Sequence, residues 1–321
     1  MQPTSPLTIV AFALPAGLSA DHPDRGHWQP ALNTALAPTH QPLWRQVQST
    51  PTTQMPDTAM SACHEMAWAQ AMGWDVKNGQ VPLAAVAAQA QGLHGPSDHG
   101  WAFIDAVHWH ISQGQVNLSV PTPITADETA ALGDAMRPYL EQDGIHLHAH
   151  QPGRWLAHAT VFKHLPSVSL DCVNGQRIDH WLQPHGIAAQ THDERLLRRL
   201  QNEMQMLLYT HPINDHRAVA LNSIWFSGTG ELPTTMGSSN APAAVQLDQS
   251  LREAWLSQNP EVFVPAFSTV LENTIIPALT RHEQVLLCNP VRGVWLQTQT
   301  PSWIRRLQHW LHPIQLCDLL E

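Results

Sequence analysis

THDERLLRRLQNEMQMLLYTHPINDHRAVALNSIWFSGTGELP, residues 191–233, is the stretch on which the reading of the fold turns. Thr191 with Glu194 three residues later is a capping-box start: the hydroxyl accepts from a free N–H of the first turn and the carboxylate reaches back. Leu196, Leu197, Leu200, Met204, Leu207 and Leu208 fall within about one third of a helix circumference, and Arg195, Arg198, Asn202 and Gln205 fall on the other side. Pro212 disfavours helical backbone at His211, so the helix ends there. A polar turn, His211 to Arg217, then leads to Ile224–Phe226, which reads as a short buried strand. Ser227-Gly-Thr-Gly230 follows it immediately.

Ligands of open α/β sheets bind beyond the carboxyl ends of strands, where glycine lets backbone approach closely. Gly228 and Gly230 occupy such a place. They form neither the GxGxxG fingerprint nor a P-loop, so nucleotide binding is not indicated. In one reading His211, Asn214, Arg217 and Asn222 converge there on an anion, the Arg217 guanidinium suiting phosphate or carboxylate. In the other, the same polar side chains tie a loop to buried backbone.

Working outward, the 321-residue chain is long enough for one large or two ordinary domains. It is 43% hydrophobic and 13% charged, a globular composition. Formal charge is −10, with Lys77 and Lys163 the only lysines, and the basic pairs Arg198-Arg199 and Arg305-Arg306 make no patch, so a nucleic-acid partner is not expected. Cys63, Cys172, Cys288 and Cys317 match no zinc spacing and suggest no disulfide scaffold, which favours a reduced, cytoplasmic protein. None is expected to start a helix or to sit beside a base, so none is assigned a reactive role. Leu7–Leu14 lacks a basic region before it and reads as a buried strand rather than a signal peptide. No run approaches the roughly 20 apolar residues of a membrane helix, so no membrane is expected.

Residues 38–57 read as loop, Ser61–Trp74 and Pro82–Gln91 as helices. Trp101–Ile111 and Val116–Val120 read as strands joined by a turn at Gln113-Gly-Gln115. A helix opens at Thr125 with Glu128 completing a capping box, Asp143-Gly144 ends it, and strands follow at Ile145–Ala149 and Trp155–Phe162. This β-β-α-β-β run makes 101–163 a small inserted α+β domain, with 1–100 and 164–321 as the two parts of an α/β core. Asp171–Leu182 reads as irregular. Later helices are expected near Gln246–Ser257, Ala266–Arg281 and Ser302–Leu311, and a strand at Gln284–Cys288.

Trp155, Asn202-Glu-Met-Gln-Met-Leu-Leu208, His211-Pro-Ile-Asn214, Arg217 and Asn222-Ser-Ile-Trp-Phe-Ser-Gly228 through Leu232-Pro233 resemble a bacterial family of RpfE-type regulatory proteins. That family is similar to the archaeal-type cofactor-independent phosphoglycerate mutases. The resemblance covers about residues 80–235. It implies an α/β fold with an alkaline-phosphatase-like core carrying an inserted α+β domain, and a pocket for a sugar-phosphate-like ligand near the polar loop and Asn222. Active members of that superfamily use two divalent metals and a Ser or Thr nucleophile, and their first strand ends in a metal-binding Asp. Here that strand reads Leu7-Thr-Ile-Val-Ala-Phe-Ala-Leu14, and after residue 260 the acids Glu261, Glu272, Glu283, Asp318 and Glu321 have no ligand-like spacing. A two-metal phosphoryl site needs carboxylates and histidines within a few ångströms of each other. The expectation is therefore a mutase-like protein that has lost metal-dependent catalysis. It would act in a regulatory role by binding a phosphorylated or carboxylated metabolite or a protein partner, with no cofactor and no assigned metal. The alternative is an active mutase or metal-dependent phosphatase.

There are 21 histidines. His146, His148 and His150 alternate along one strand and face one side, as do His108 and His110. Such sets bind zinc or nickel, or stand as a solvated strand face. Asp98-His99 and Asp179-His180 resemble acid–base dyads only weakly, and Ser223 and Ser227 have no nucleophile elbow.

Overall fold

The structure, a computed structural model, describes residues 6–15, 25–36, 38–52, 54–56, 58–182, 191–233, 245–257, 259–299 and 316–317. The expected helix at 302–311 lies outside them. The described strands are β1 (Leu7–Ala11), β2 (Val47–Pro51), β3 (Gly100–Ser112), β4 (Gln115–Ser119), β5 (His146–Gln151), β6 (Arg154–Ala159), β7 (Ser223–Gly230), β8 (Val245–Asp248), β9 (Gln284–Cys288) and β10 (Gly293–Thr298). The class is mixed α/β. The chain divides into two compact units, one of residues 1–58, 62–75 and 235–321, the other of residues 59–61 and 76–234.

In the first unit the strand order is β2-β10-β9-β1-β8. β1 runs parallel to both β8 and β9, while β10 is antiparallel to β9 and β2. A strand central to a parallel sheet is covered on both faces and reads as a continuous apolar run. All five residues of β1 are buried. Val10 shares one face with Val285, Leu287, Val294 and Leu296, under Trp28, Leu32, Phe263 and Phe267. Leu7 and Ile9 share the other with Leu286 and Cys288, against Cys63 and Ala71 of the helix Cys63–Ala71.

Three elements of this unit depart from expectation. β2 lies within the segment read as loop, because Gln48 to Thr50 offer no apolar alternation and the strand is held by its ladder to β10. Val245–Asp248 is a strand where a helix was expected, since pairing with β1 overrides local propensity. The helix expected at Ala266–Arg281 begins at Pro260 and runs through a π-turn at Leu271–Ile275 to Thr280. By length and composition this run suffices to cross a membrane. Its residues Phe263, Phe267, Leu271, Ile275 and Leu279 are fully buried in the core cluster of β1, however, which is the packing of a core helix.

In the second unit the order is β4-β3-β6-β5, with β7 paired to the remaining edge of β3. All these pairings are antiparallel. One face carries Ala102, Ile104, Ala106, Trp155, Ala157, Ile224 and Phe226, covered by the helices Ala126–Gln142 and His192–Tyr209. The second helix buries Leu197, Leu200, Met204 and Leu208 of the expected stripe, and its capping box forms, with Thr191 Oγ1 accepting from Glu194 N at 3.2 Å. Each such leucine contributes about 1.5–3 kcal/mol at most. On the opposite face Trp101, Phe103 and Leu156 pack under Ala84, Ala85 and Ala88 of the helix Leu83–Ala90. The unit therefore reaches well beyond the expected 101–163 insert. β7 and its preceding helix belong to it because they complete the sheet and cover its apolar face.

Gly100 opens β3 where an added Cβ would stand 2.5 Å from the backbone of Phe162 and Lys163. Backbone cannot yield there as a side-chain tip would. Gly100→Ala should therefore destabilise the protein by roughly 1–3 kcal/mol, read as a lower urea midpoint.

Candidate functional site

The polar turn forms as the sequence suggests, and its side chains make specific bonds. The His211 ring Nδ1 accepts from Ile213 N at 3.3 Å, capping a short 3-10 turn, Pro212–His216. Asn214 Nδ2 donates to Leu208 O at 2.8 Å and Leu221 O at 3.2 Å, and its Oδ1 accepts from Leu221 N at 2.8 Å. Asn222 Oδ1 accepts from Trp109 N at 2.8 Å and its Nδ2 donates to Trp109 O at 2.9 Å. The amide side chain thus continues the β3–β7 ladder one step past its last backbone pair.

Arg217 is held from three sides. Its Nη1 donates to Glu128 Oε1 at 2.7 Å, its Nη2 to Pro123 O at 3.1 Å and its Nε to Val219 O at 3.2 Å. The Thr125 N–H, and after it the Arg217 guanidinium, hold the Glu128 carboxyl below its ordinary value. Gly228 has φ 62°, and a Cβ there would stand 3.0 Å from the Phe103 ring. Gly230 has φ 143°, with Pro82 Cβ 2.9 Å from where its own Cβ would be. Both glycines serve close approach of the chain to protein neighbours. The structure thus gathers His211, Asn214 and Arg217 into one bonded loop, and sets Asn222 on the β3 edge. Ser223 and Ser227 are buried within β7.

At the carboxyl end of β1, in the other unit, the chain leaves through Phe12, which has φ 61° and no exposed surface. Its ring packs 5.2 Å from that of His64 and 5.5 Å from that of Trp255, with the Arg252 guanidinium 5.9 Å above it. Ala13 and Leu14 follow, both fully buried. β8 ends in Asp248, whose Oδ1 accepts from Ser250 N and Oγ and whose Oδ2 accepts from Thr274 Oγ1. That carboxylate fixes a turn.

Cys63 corrects the expectation that no cysteine starts a helix. The helix begins at Cys63 rather than Ser61, with the Ala62 N–H donating to Glu65 Oε2 at 2.8 Å. A hydrogen bond with Cys288 draws the Cys63 thiol below its ordinary value, against the effect of burial, with His64 and Thr52 adding to it. Burial pushes Cys288 up. Ala62 carries no capping side chain, so the sequence offered no cue to this start.

The histidines gather in a way that strand alternation alone does not reveal. His146 lies opposite His158 in the β5–β6 register. His99, just before β3, places its Nδ1 2.9 Å from His158 Nδ1. Ring centroids of His146 and His148 lie 4.9 and 5.2 Å from that of His158. His150, on the same strand face, bonds Gln91 instead and stacks on Phe103. His108 and His110 stack on each other at 5.4 Å, on the part of β3 that pairs with β4. A cleft of about 380 Å³ opens beside His99 and His146, and Asp143, Thr160, His192 and Asp193 also line it.

No family model and no curated protein matches the chain. Among solved structures it is similar to a cofactor-independent phosphoglycerate mutase from Thermoplasma acidophilum DSM 1728, with 11% identity, 94% of this chain and 91% of that one covered, and a TM-score of 0.34. It is also similar to the PH0037 protein from Pyrococcus horikoshii, with 11% identity, 93% and 88% covered, and a TM-score of 0.42. Likenesses this faint assign neither a residue role nor an activity to this chain.

The bonds of Arg217 and Asn222 predict structural losses on substitution. Asn222→Ala leaves the Trp109 N–H and C=O without partners and should cost about 1–3 kcal/mol. Arg217→Ala should cost about 1–2 kcal/mol at pH 7, between the values of exposed and fully buried pairs. Because the Glu128 carboxyl lies low in the folded state, its pairing contributes above the unfolded carboxylate pKa. It is lost as pH falls through the folded value. The gap between wild type and Arg217→Ala should therefore narrow in denaturation curves recorded at successively more acidic pH.

Proposed function

We propose that the chain is a mutase-like protein with an alkaline-phosphatase-like core that acts by binding in a regulatory role, without two-metal phosphoryl transfer. The observation that carries this reading is the end of β1. Two divalent ions that polarise a phosphoryl group need carboxylate oxygens around them. The buried Phe12 ring, followed by Ala13 and Leu14, fills the strand end where such a ligand would stand. Asp248 is committed to its turn. Phe12, Ala13 and Leu14 supply no side-chain oxygen or nitrogen to a metal pair at that strand end, and no catalytic step is derived through one.

The ligand in this reading is a small phosphorylated or carboxylated metabolite at the loop of His211, Asn214, Arg217 and Asn222, which leads into the start of β7, at the opposite end of that strand from Gly228 and Gly230. Arg217 already grips a carboxylate. A ligand anion would take the place of Glu128 on the Arg217 Nη1 group, gaining a charge-assisted hydrogen bond of the same kind. A protein partner presenting an acidic side chain would enter by the same exchange.

Thermal-shift measurements with 3-phosphoglycerate and related acids test the binding. Stabilisation that grows with ligand concentration is expected, because a ligand of the native state raises its stability. A parallel assay of 3-phosphoglycerate conversion with Mn²⁺ or Zn²⁺ should show no turnover. Turnover abolished by EDTA would overturn the reading.

A further inference from the structure

We propose that Cys63 and Cys288 of the first unit form a redox pair, which hydrogen peroxide converts to a reversible disulfide. The pair goes beyond the reading of the anion loop and does not depend on it.

Geometry carries the proposal. A disulfide forms without backbone movement only where two cysteine side chains already meet. Cys288 ends β9, paired with Ala11 of β1 on one side and Gly293 of β10 on the other. Cys63 opens the helix Cys63–Ala71, and the two thiols lie in one buried cluster with Leu7, Ile9 and Leu286. Backbone bonds tie the helix start to the strand end. The Cys63 N–H donates to Pro290 O at 2.8 Å, two residues past Cys288. Asn289 fixes that turn, its Oδ1 accepting from Val291 N at 2.9 Å and Arg292 N at 2.8 Å. Thr52 joins the two cysteines from the side. It hydrogen-bonds the Cys63 thiol, and its Oγ1 accepts at 2.9 Å from the N–H of Gly293, the residue opposite Cys288.

The chemistry sets the order of events. The thiolate is the attacking form of cysteine. The hydrogen bond with Cys288 draws the Cys63 thiol below its ordinary value against the effect of burial, with His64 and Thr52 adding to it, whereas burial pushes Cys288 up. Cys63 is 7% exposed and Cys288 not at all, so Cys63 meets a small oxidant first. Its sulfur attacks one peroxide oxygen. An S–O bond forms, the O–O bond breaks, and the departing hydroxide takes the proton lost by the Cys63 thiol and leaves as water. The Cys288 sulfur then attacks the Cys63 sulfenic acid. The S–S bond forms, the S–O bond breaks, and the second hydroxide leaves as water with the Cys288 proton. Two thiols are oxidised and one peroxide is reduced to two waters. A small thiol reverses the bridge by exchange. The bridge pins the start of the helix to the end of β9.

The test treats the reduced full chain with hydrogen peroxide, then denatures it in N-ethylmaleimide and maps its peptides by mass spectrometry. A linked Cys63–Cys288 peptide is expected, two hydrogen atoms lighter than its separate halves and lost on treatment with dithiothreitol. The Cys172→Ser/Cys317→Ser double variant should form it to the same extent. In Cys288→Ala the resolving thiol is gone, so Cys63 should stop at the sulfenic acid and take more dimedone label than in the wild type. Cys288 is a core residue, and the wild-type map decides the matter by itself if that variant does not fold. Absence of the linked peptide from the wild type at every peroxide level that leaves the circular dichroism unchanged would overturn the proposal. So would a bridge from Cys63 to Cys172 or Cys317 in its place.

Discussion

The ladder that joins β3 to β6 on one edge and to β7 on the other governs the chemistry of the second unit. A strand's side chains alternate with period two, so a slip of one residue would exchange the two faces of the sheet. In the observed register the alanines and Ile104 of β3 meet Trp155, Ala157, Ile224 and Phe226 under two long helices. The same register turns Trp101, Phe103, Leu156 and the histidines to the opposite side. The apolar face fixes the register and stabilises the unit. The histidine face is a consequence of that choice and is free to serve another purpose.

The loop of residues 211–222 illustrates how far polar side chains near a strand end are occupied by the protein itself. Asn222 takes the place of a backbone pair, Asn214 closes its loop on Leu208 and Leu221, and Arg217 joins that loop to Glu128 and Pro123. A ligand that enters there competes with a carboxylate already in place.

The long helix, its capping box, the β3–β4 turn and the strands around 101–159 were legible because each rests on local chemistry: Thr and Glu three residues apart, Gln113-Gly114 at a tight turn, alternation along a strand. β8 was not legible, because four residues that pair with β1 carry no signal stronger than the helix-like run after them. Nor was the extent of the second unit, which depends on β7 finding the free edge of β3. Of the candidate site, His146 and His148 were visible as an alternating set. His99 and His158 were not, since only cross-strand register brings residues 59 positions apart to hydrogen-bond distance. The bonding of Arg217 to Glu128 was hidden for the same reason: the two lie 89 positions apart.

Thermal-shift titration of the wild type and Arg217→Ala with 3-phosphoglycerate tests the central claim most directly. The account predicts stabilisation of the wild type that grows with ligand concentration and is absent in Arg217→Ala. Equal stabilisation of both proteins, or none of the wild type, would contradict it.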